Sequence, residues 1–234
     1  MQHPLRALRW IFVAVFGLVM QNAWAGRPFS TEDAGVIEKG HCEVEAFGVR
    51  LRPPGGPTEN GLSAQLGCGV IGRTQLALAL EESKAAGEKT RGLLLSGKTQ
   101  LVDGGQNKPS FAVAYFTRRD KDPNESWRSG DTGVNLVASV PSGAWVAHLN
   151  LGVTAERAPN RDVTTWALAF ERLGFAKDID AGLEFFGNDR NSSWVQAVAR
   201  WNFKPEHLLF DASLGREIGG DAINRFTVGL KLMF

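Results

Sequence analysis

Ionisable side chains in this 234-residue sequence recur on the same residue parity as other polar groups, segment after segment. Glu43, Glu45, Glu81, Glu171, Asp178, Asp180, Glu184 and Asp211 supply acid, while Lys98, Arg118, Arg200, Arg225 and Lys231 supply base. Gln65, Gln100, Asn135, His148, Asn150, Gln196 and Asn202 add neutral hydrogen-bonding groups. Gathered on one surface, such residues do one of two things. They pair into a salt-bridge network that fills an interior, or they form a mixed-charge constriction that selects what passes. Spacing alone leaves both open.

Nucleophilic chemistry has thinner support. His148 and Ser139 share the polar parity, but a nucleophile–base pair needs hydrogen-bond contact, which their positions do not supply. Position 150, two residues beyond His148, is Asn rather than Ser. No G-x-S-x-G, P-loop or dinucleotide fingerprint occurs, so no enzyme is expected. Two Cys and four His make a metal site an unfavourable reading, and no cofactor is expected.

The elements that must position these groups are β-strands. From residue 40 onward period two dominates. Leu62, Ala64, Leu66, Cys68 and Val70 alternate with Ser63, Gln65 and Gly67; Trp145, Ala147, Leu149, Leu151 and Val153 alternate with His148 and Asn150. Counting every such run predicts twelve strands of about ten residues, the length a tilted membrane strand requires. Short connections at 71–74, 141–144, 173–176 and 203–206, with a longer one at 102–109, alternate with mostly longer ones at 52–61, 81–91, 118–131, 155–162, 187–193 and 216–222. Short turns at one rim and longer loops at the other suit an outer-membrane barrel, with both termini on the short-turn, periplasmic side.

A soluble sandwich would place its apolar parity in a core and its other parity in water. Here the polar parity is rich in Gly, Ala, Ser, Thr and Asn rather than Lys and Glu, and aromatics recur near strand ends (Phe111, Trp145, Trp166, Phe185, Trp201, Phe203, Phe234). That pattern favours apolar faces turned to lipid, with girdles at the interfaces. The expected fold is an all-β, twelve-stranded antiparallel transmembrane barrel, an up-and-down meander. Closure removes sheet edges. It would also bring Glu43 or Glu45 beside Arg225 or Lys231.

The N-terminus supplies the compartment. Arg6 and Arg9, an apolar run from Trp10 to Val19, and Ala23-Trp24-Ala25 form a signal peptide cleaved after Ala25. Residues 26–40 then form a periplasmic or luminal segment, and 41–234 the barrel. Whether 26–40 plugs the lumen, binds a ligand or trails in the periplasm is left open. Without the two bases of the signal, 24 bases meet 25 acids, a net charge of −1 that points to no nucleic acid. Cys42 and Cys68 share a parity about the first hairpin, in an oxidising compartment. Either a disulfide closes that hairpin or two thiols face lipid.

Two resemblances add to this. The last strand, with Phe226, Val228, Leu230, Leu232 and a final Phe234, resembles the signal that the barrel-assembly machinery reads. The stretch 27–48 carries Arg27-Pro28, Thr31-Glu32-Asp33-Ala34 and Glu43-Val44-Glu45. It is similar to the opening of a family named for the meta-pathway of phenol degradation. The resemblance implies an outer-membrane barrel that transports small, hydrophobic or aromatic compounds. The expected function is therefore a Gram-negative outer-membrane channel for a small-molecule permeant, in contact with outer-membrane lipid; a closed structural or interaction barrel is the alternative.

Overall fold

The computed structural model describes residues 29–190 and 193–234, so the expected signal peptide at 1–25 lies outside the described residues. Twelve strands follow in order: β1 (Cys42–Arg52), β2 (Glu59–Ile71), β3 (Thr74–Ala85), β4 (Glu88–Val102), β5 (Ser110–Lys121) and β6 (Arg128–Ser142). The second half holds β7 (Trp145–Glu156), β8 (Arg161–Ala176), β9 (Ile179–Asn188), β10 (Ser193–Lys204), β11 (Leu208–Ile218) and β12 (Asn224–Met233). Each pairs antiparallel with its sequence neighbours, and β1 pairs with β12 to close the barrel. The all-β, twelve-stranded meander expected from parity is the fold observed.

Strand length is where expectation and structure part. Strands run from 10 residues in β9 to 16 in β8, and the loops shrink accordingly. The loop expected at 81–91 is a two-residue turn, Ala86-Gly87, with both residues at positive φ, the requirement of a tight hairpin. Its flanks stay in the ladder because continued pairing satisfies their backbone groups. Outward charges stabilise them: Lys89 and Arg91 of β4 lie 2.6 and 3.5 Å from Glu82 of β3. The same extension shortens the loops expected at 118–131 and 216–222 to 122–127 and 219–223. Asp178 lies not on the wall but in the β8–β9 turn, at φ 59°.

Outside, the barrel is apolar: Leu62, Leu80, Leu136, Leu151, Leu214 and Phe226 are all exposed. Inside, Glu45, Glu81, Lys98, His148, Glu171, Glu184 and Arg225 are buried. This inverts the soluble arrangement and is the pattern of a barrel standing in lipid. Aromatics crowd the rim that bears the C-terminus. Trp201, Phe203 and Phe210 pack with ring centroids 5.1, 5.8 and 6.0 Å apart, and Arg172 sits 5.6 Å over Trp145. Such amphipathic clustering suits a membrane interface.

The seam and the first hairpin carry their own fastenings. Phe234 N–H donates to Cys42 O, and Cys42 N–H donates to Phe234 O, at 2.9 and 2.7 Å. Cys42 and Cys68 stand opposite each other in the β1–β2 register and are disulfide-bonded. Across the seam Glu45 pairs with Lys231, whose Nζ lies 2.5 Å from Glu45 Oε1 and 3.3 Å from Glu43 Oε2. Replacing both acids (Glu43→Gln with Glu45→Gln) strands a buried ammonium, a loss of about 3–5 kcal/mol for a broken buried pair. The heat-induced shift of the folded band on semi-native gels should then occur at lower temperature; an unchanged transition would refute a stabilising seam.

Candidate functional site

Residues 29–37 lie inside the barrel, and 38–40 lead out of it to β1. A segment so placed has no neighbouring strand, yet its amides need partners. The wall supplies them with side chains. Glu184 of β9, fully buried, accepts Ser30 N–H and Thr31 N–H at 2.9 Å and the Thr31 hydroxyl at 2.8 Å. Gln196 of β10 holds the same carboxylate through its amide, at 2.8 Å. Asn150 of β7 accepts Glu32 N–H at 2.7 Å and donates to Glu32 O at 2.9 Å, as a paired strand would. Ser139 Oγ of β6 accepts Ala34 N–H at 2.8 Å, and Gln75 of β3 accepts Ile37 N–H at 2.8 Å.

Charge fixes the middle of the plug. Lys98 Nζ of β4 donates to Glu32 Oε2 at 3.1 Å and to Asp33 O at 3.0 Å, with Asp33 Oδ1 at 3.6 Å. Gln100 donates to Ala34 O at 3.1 Å, and Arg225 of β12 donates to Ser30 Oγ at 3.1 Å. Apolar contacts complete the seat. Phe29 packs with Ala169 and Val198, and Ala34, wholly buried, packs with Ala112, Ala114 and Val137.

Two glycines make the close approach physically feasible. A Cβ on Gly69 of β2 would collide with the carbonyls of Ile37 and Glu38, where the plug leaves the lumen. There Gly40 N–H donates to Gly69 O and Gly69 N–H to His41 O, anchoring the exit. A Cβ on Gly182 of β9 would strike the Phe29 ring. Glycine is the residue that admits backbone or rings this near a wall.

Apart from Asp178, the charged lumen residues expected from parity face inward, in four groups besides Asp211. Lys98, Glu184 and Arg225 touch the plug directly. Glu43, Glu45 and Lys231 form the seam. Glu81 and Arg118 pair at 2.9 Å, with Asp120 at 2.5 Å from the same guanidinium. Glu171 accepts from Arg200 at 2.8 Å, and Asp180 accepts from Asn202 at 2.9 Å with Arg200 at 3.8 Å. Asp211 is buried on the wall of β11.

His148 joins two of these groups. Its Nδ1 lies 2.8 Å from Ser139 Oγ and its Nε2 3.6 Å from Glu171 Oε2. A Ser–His–Glu series is the skeleton of an acyl-transfer site. Here the serine oxygen is also the acceptor for Ala34 N–H, Arg200 occupies Glu171, and the plug lies over the hydroxyl. The series works as a clamp that carries wall charge to the plug backbone. Among the described residues no His, Cys, Asp and Glu group could hold a metal ion.

The clamp residues Gln75, Gly69 and Gly182 carry no chemical signature of their own in the sequence, while Ser139, on the polar parity with His148, holds the plug backbone. The signal for the glycines is their position on the polar parity of otherwise well-filled strands. Glu184→Ala removes the acceptor of three plug donors, each charged bond worth about 1.5–3 kcal/mol. Residues 29–40 should then be cut by protease at least tenfold faster in the folded barrel. Equal protection in variant and parent would show that Glu184 does not retain the plug.

Solved structures share this fold. The KdgM porin in complex with disordered oligogalacturonate superposes with a TM-score of 0.61 at 8% identity, covering 82% of this chain and 99% of that one. The NanC porin gives 0.60 at 6% identity, covering 81% and 98%. The COG4313 outer membrane channel from Pseudomonas putida F1 gives 0.59 at 10% identity, covering 86% and 98%. At these identities the likeness is one of fold. No curated protein matches the sequence. A family model does match, over residues 14–234, and the chain therefore belongs to the family described as uncharacterised conserved protein UCP029691.

Proposed function

We propose that the protein is an outer-membrane channel for small compounds, closed in the conformation described by residues 29–40. The observation that carries this reading is the manner of closure. From Ser30 to Ile37 the plug is held by wall side chains rather than by a ladder, and its backbone bridge to the wall lies at the exit, between Lys39 and Gly69, so the part inside can swing out about that bridge without breaking the barrel's own strand pairings. The wall around it carries the charged groups a mixed-charge constriction needs: Lys98, Glu171, Arg200, Asp180, and Glu45 with Lys231. The fold shared with porins and channels supports the same reading.

The N-terminal pattern acquires a physical meaning in this scheme. Thr31, Glu32, Asp33 and Ala34 are the residues gripped by Glu184, Lys98, Ser139 and Gln100. Their similarity to the meta-pathway family is the ground for naming small hydrophobic or aromatic compounds as permeants. A closed structural barrel is the second reading. It is favoured by the apolar cluster of Val49, Leu51, Ala167, Phe186, Trp194 and Ile223, which adds fill inside the wall.

Export through a cleaved signal peptide at 1–25 and recognition of β12 by the barrel-assembly machinery belong to the same proposal. The outward row Phe226, Val228, Leu230, Leu232 and Phe234 is the surface offered for that recognition, and all five are exposed. Deleting Phe234, which exchanges two hydrogen bonds with Cys42, should cut the membrane-inserted fraction severalfold in a fractionation assay. Full insertion would remove β12 from that role.

Conductance across a planar bilayer tests the channel. Refolded full-length protein should open rarely, and protein lacking 26–39 should open in steps of reproducible size. Lys98→Glu or Arg200→Glu in the deleted form should shift its cation/anion preference. Silence of both the full-length and the deleted protein would overturn the channel in favour of a closed barrel.

A further inference from the structure

The exterior of β11, β12 and β1 carries a feature that a uniform lipid-facing wall lacks. At the rim opposite the termini, Arg52, Asn224 and Arg216 stand in register across the three strands. One step toward the barrel waist the row reads Arg50, Phe226, Leu214, Ala197 and Leu183, continuing through β10 to β9. All of these side chains have the outward parity, and the three arginines are exposed. Together with Val195 they line a concavity of about 620 Å³ whose floor is apolar and whose outer edge is basic. Ala197, small between Leu183 and Leu214, deepens it.

Arg50 and Arg52 on β1 and Arg216 on β11, one strand apart across β12, bring three like charges to one concavity. Among the described residues none of Arg50, Arg52 and Arg216 makes an ion pair, although outward charges elsewhere do, as Lys89 and Arg91 do with Glu82. An arginine turned toward lipid costs about 2–4 kcal/mol at the bilayer midplane and about 0–1 near the interface, so these must stand at headgroup depth. An anion there would remove both the repulsion and the remaining cost. Guanidinium geometry matches phosphate oxygens two at a time. The apolar floor, in register with Arg50 and one step in from Arg52 and Arg216, has the lining that acyl chains require.

We infer that this concavity binds one phosphorylated, multiply acylated lipid of the outer leaflet, its phosphate held by Arg50, Arg52 and Arg216 and its chains laid on Leu183, Val195, Ala197, Leu214 and Phe226. The assignment rests on the outer-membrane reading for its orientation, not on the lumen or on conduction. A lipid seated there would cover the outer face of the β12–β1 seam, whose inner face is fastened by Lys231.

Binding of bis-phosphorylated lipid A to the full-length protein in neutral detergent, followed by native mass spectrometry and by fluorescence titration, tests it. The wild type should bind one lipid A, with affinity falling as salt rises. Arg50→Gln with Arg52→Gln and Arg216→Gln should weaken binding at least tenfold, and Arg216→Gln alone severalfold. Lys204→Gln, exposed at the opposite rim, should change it less than twofold. Lipid A stripped of both phosphates should bind the wild type at least tenfold more weakly. Inorganic phosphate should compete only weakly, because it lacks the chains.

Equal affinity for phosphorylated and phosphate-free lipid would overturn the site, and that arm needs no variant to fold. So would full competition by inorganic phosphate, which would make the arginines a general anion patch. Since no step reads current, a silent barrel that binds lipid A in this way would end the channel reading and leave this one standing.

Discussion

Backbone hydrogen bonding inside a closed wall is the constraint on which the rest of the molecule depends. A barrel satisfies the amides of its own strands by closure, and nothing is left over for a segment in the lumen. Thr31, Glu32, Ala34 and Ile37 therefore find their acceptors on side chains, from Glu184, Asn150, Ser139 and Gln75. Those acceptors come from four different strands, β9, β7, β6 and β3, so the plug spans the lumen rather than lining one side. The inward face of the wall is thus a template written for one peptide.

The same template must keep its charges tolerable. Buried ions are costly unless paired, and removing one partner costs more than never having the pair. Lys98 meets the plug's Glu32 and Asp33, whereas Arg118 with Glu81, and Lys231 with Glu45, are satisfied within the wall. Plug release therefore spares most of the electrostatic framework, and among the charged groups unmakes the Lys98 contacts, the Glu184 clamp and the Arg225 bond to Ser30. His148 is the hinge between these sets, since Ser139 ties it to the plug and Glu171 ties it to Arg200.

How much of this the sequence reveals depends on the range of the physics involved. Side-chain direction in a strand is a local property with period two, so the inward placement of Glu45, Lys98, Glu184 and Arg225 is legible from parity alone. Closure then places Lys231 beside Glu45 by counting strands. Strand length is less legible, because residues 81–91 are polar whether they form a loop or a hairpin standing clear of lipid. A plug at 26–40 is one of three readings the sequence leaves open, and the contacts that seat it are not legible. Thr31 and Glu184 are 153 residues apart, and no periodicity connects a segment lying inside the barrel to the wall that holds it. Gly69 and Gly182 mark the approach only once the neighbour is known.

The strands answer two solvation problems with their two faces, and β1 shows how closely these are joined. Its inward side carries Glu43 and Glu45 to Lys231, then turns apolar at Phe47, Val49 and Leu51. Its outward side runs the opposite way, apolar at Val44 and Ala46 and basic at Arg50 and Arg52. The change of character occurs at Phe47–Gly48 on both faces. Below it the lumen is polar where the exterior must meet acyl chains. Above it the lumen holds the cluster around Phe186 and Trp194, stacked 6.2 Å apart, while the exterior carries Arg50 and Arg52. A residue shift of one in the β1–β12 register would put Lys231 into lipid and Phe226 into the lumen at once. The charged seam and the apolar row of β12 thus specify the same register from opposite sides, and each fails if the other slips.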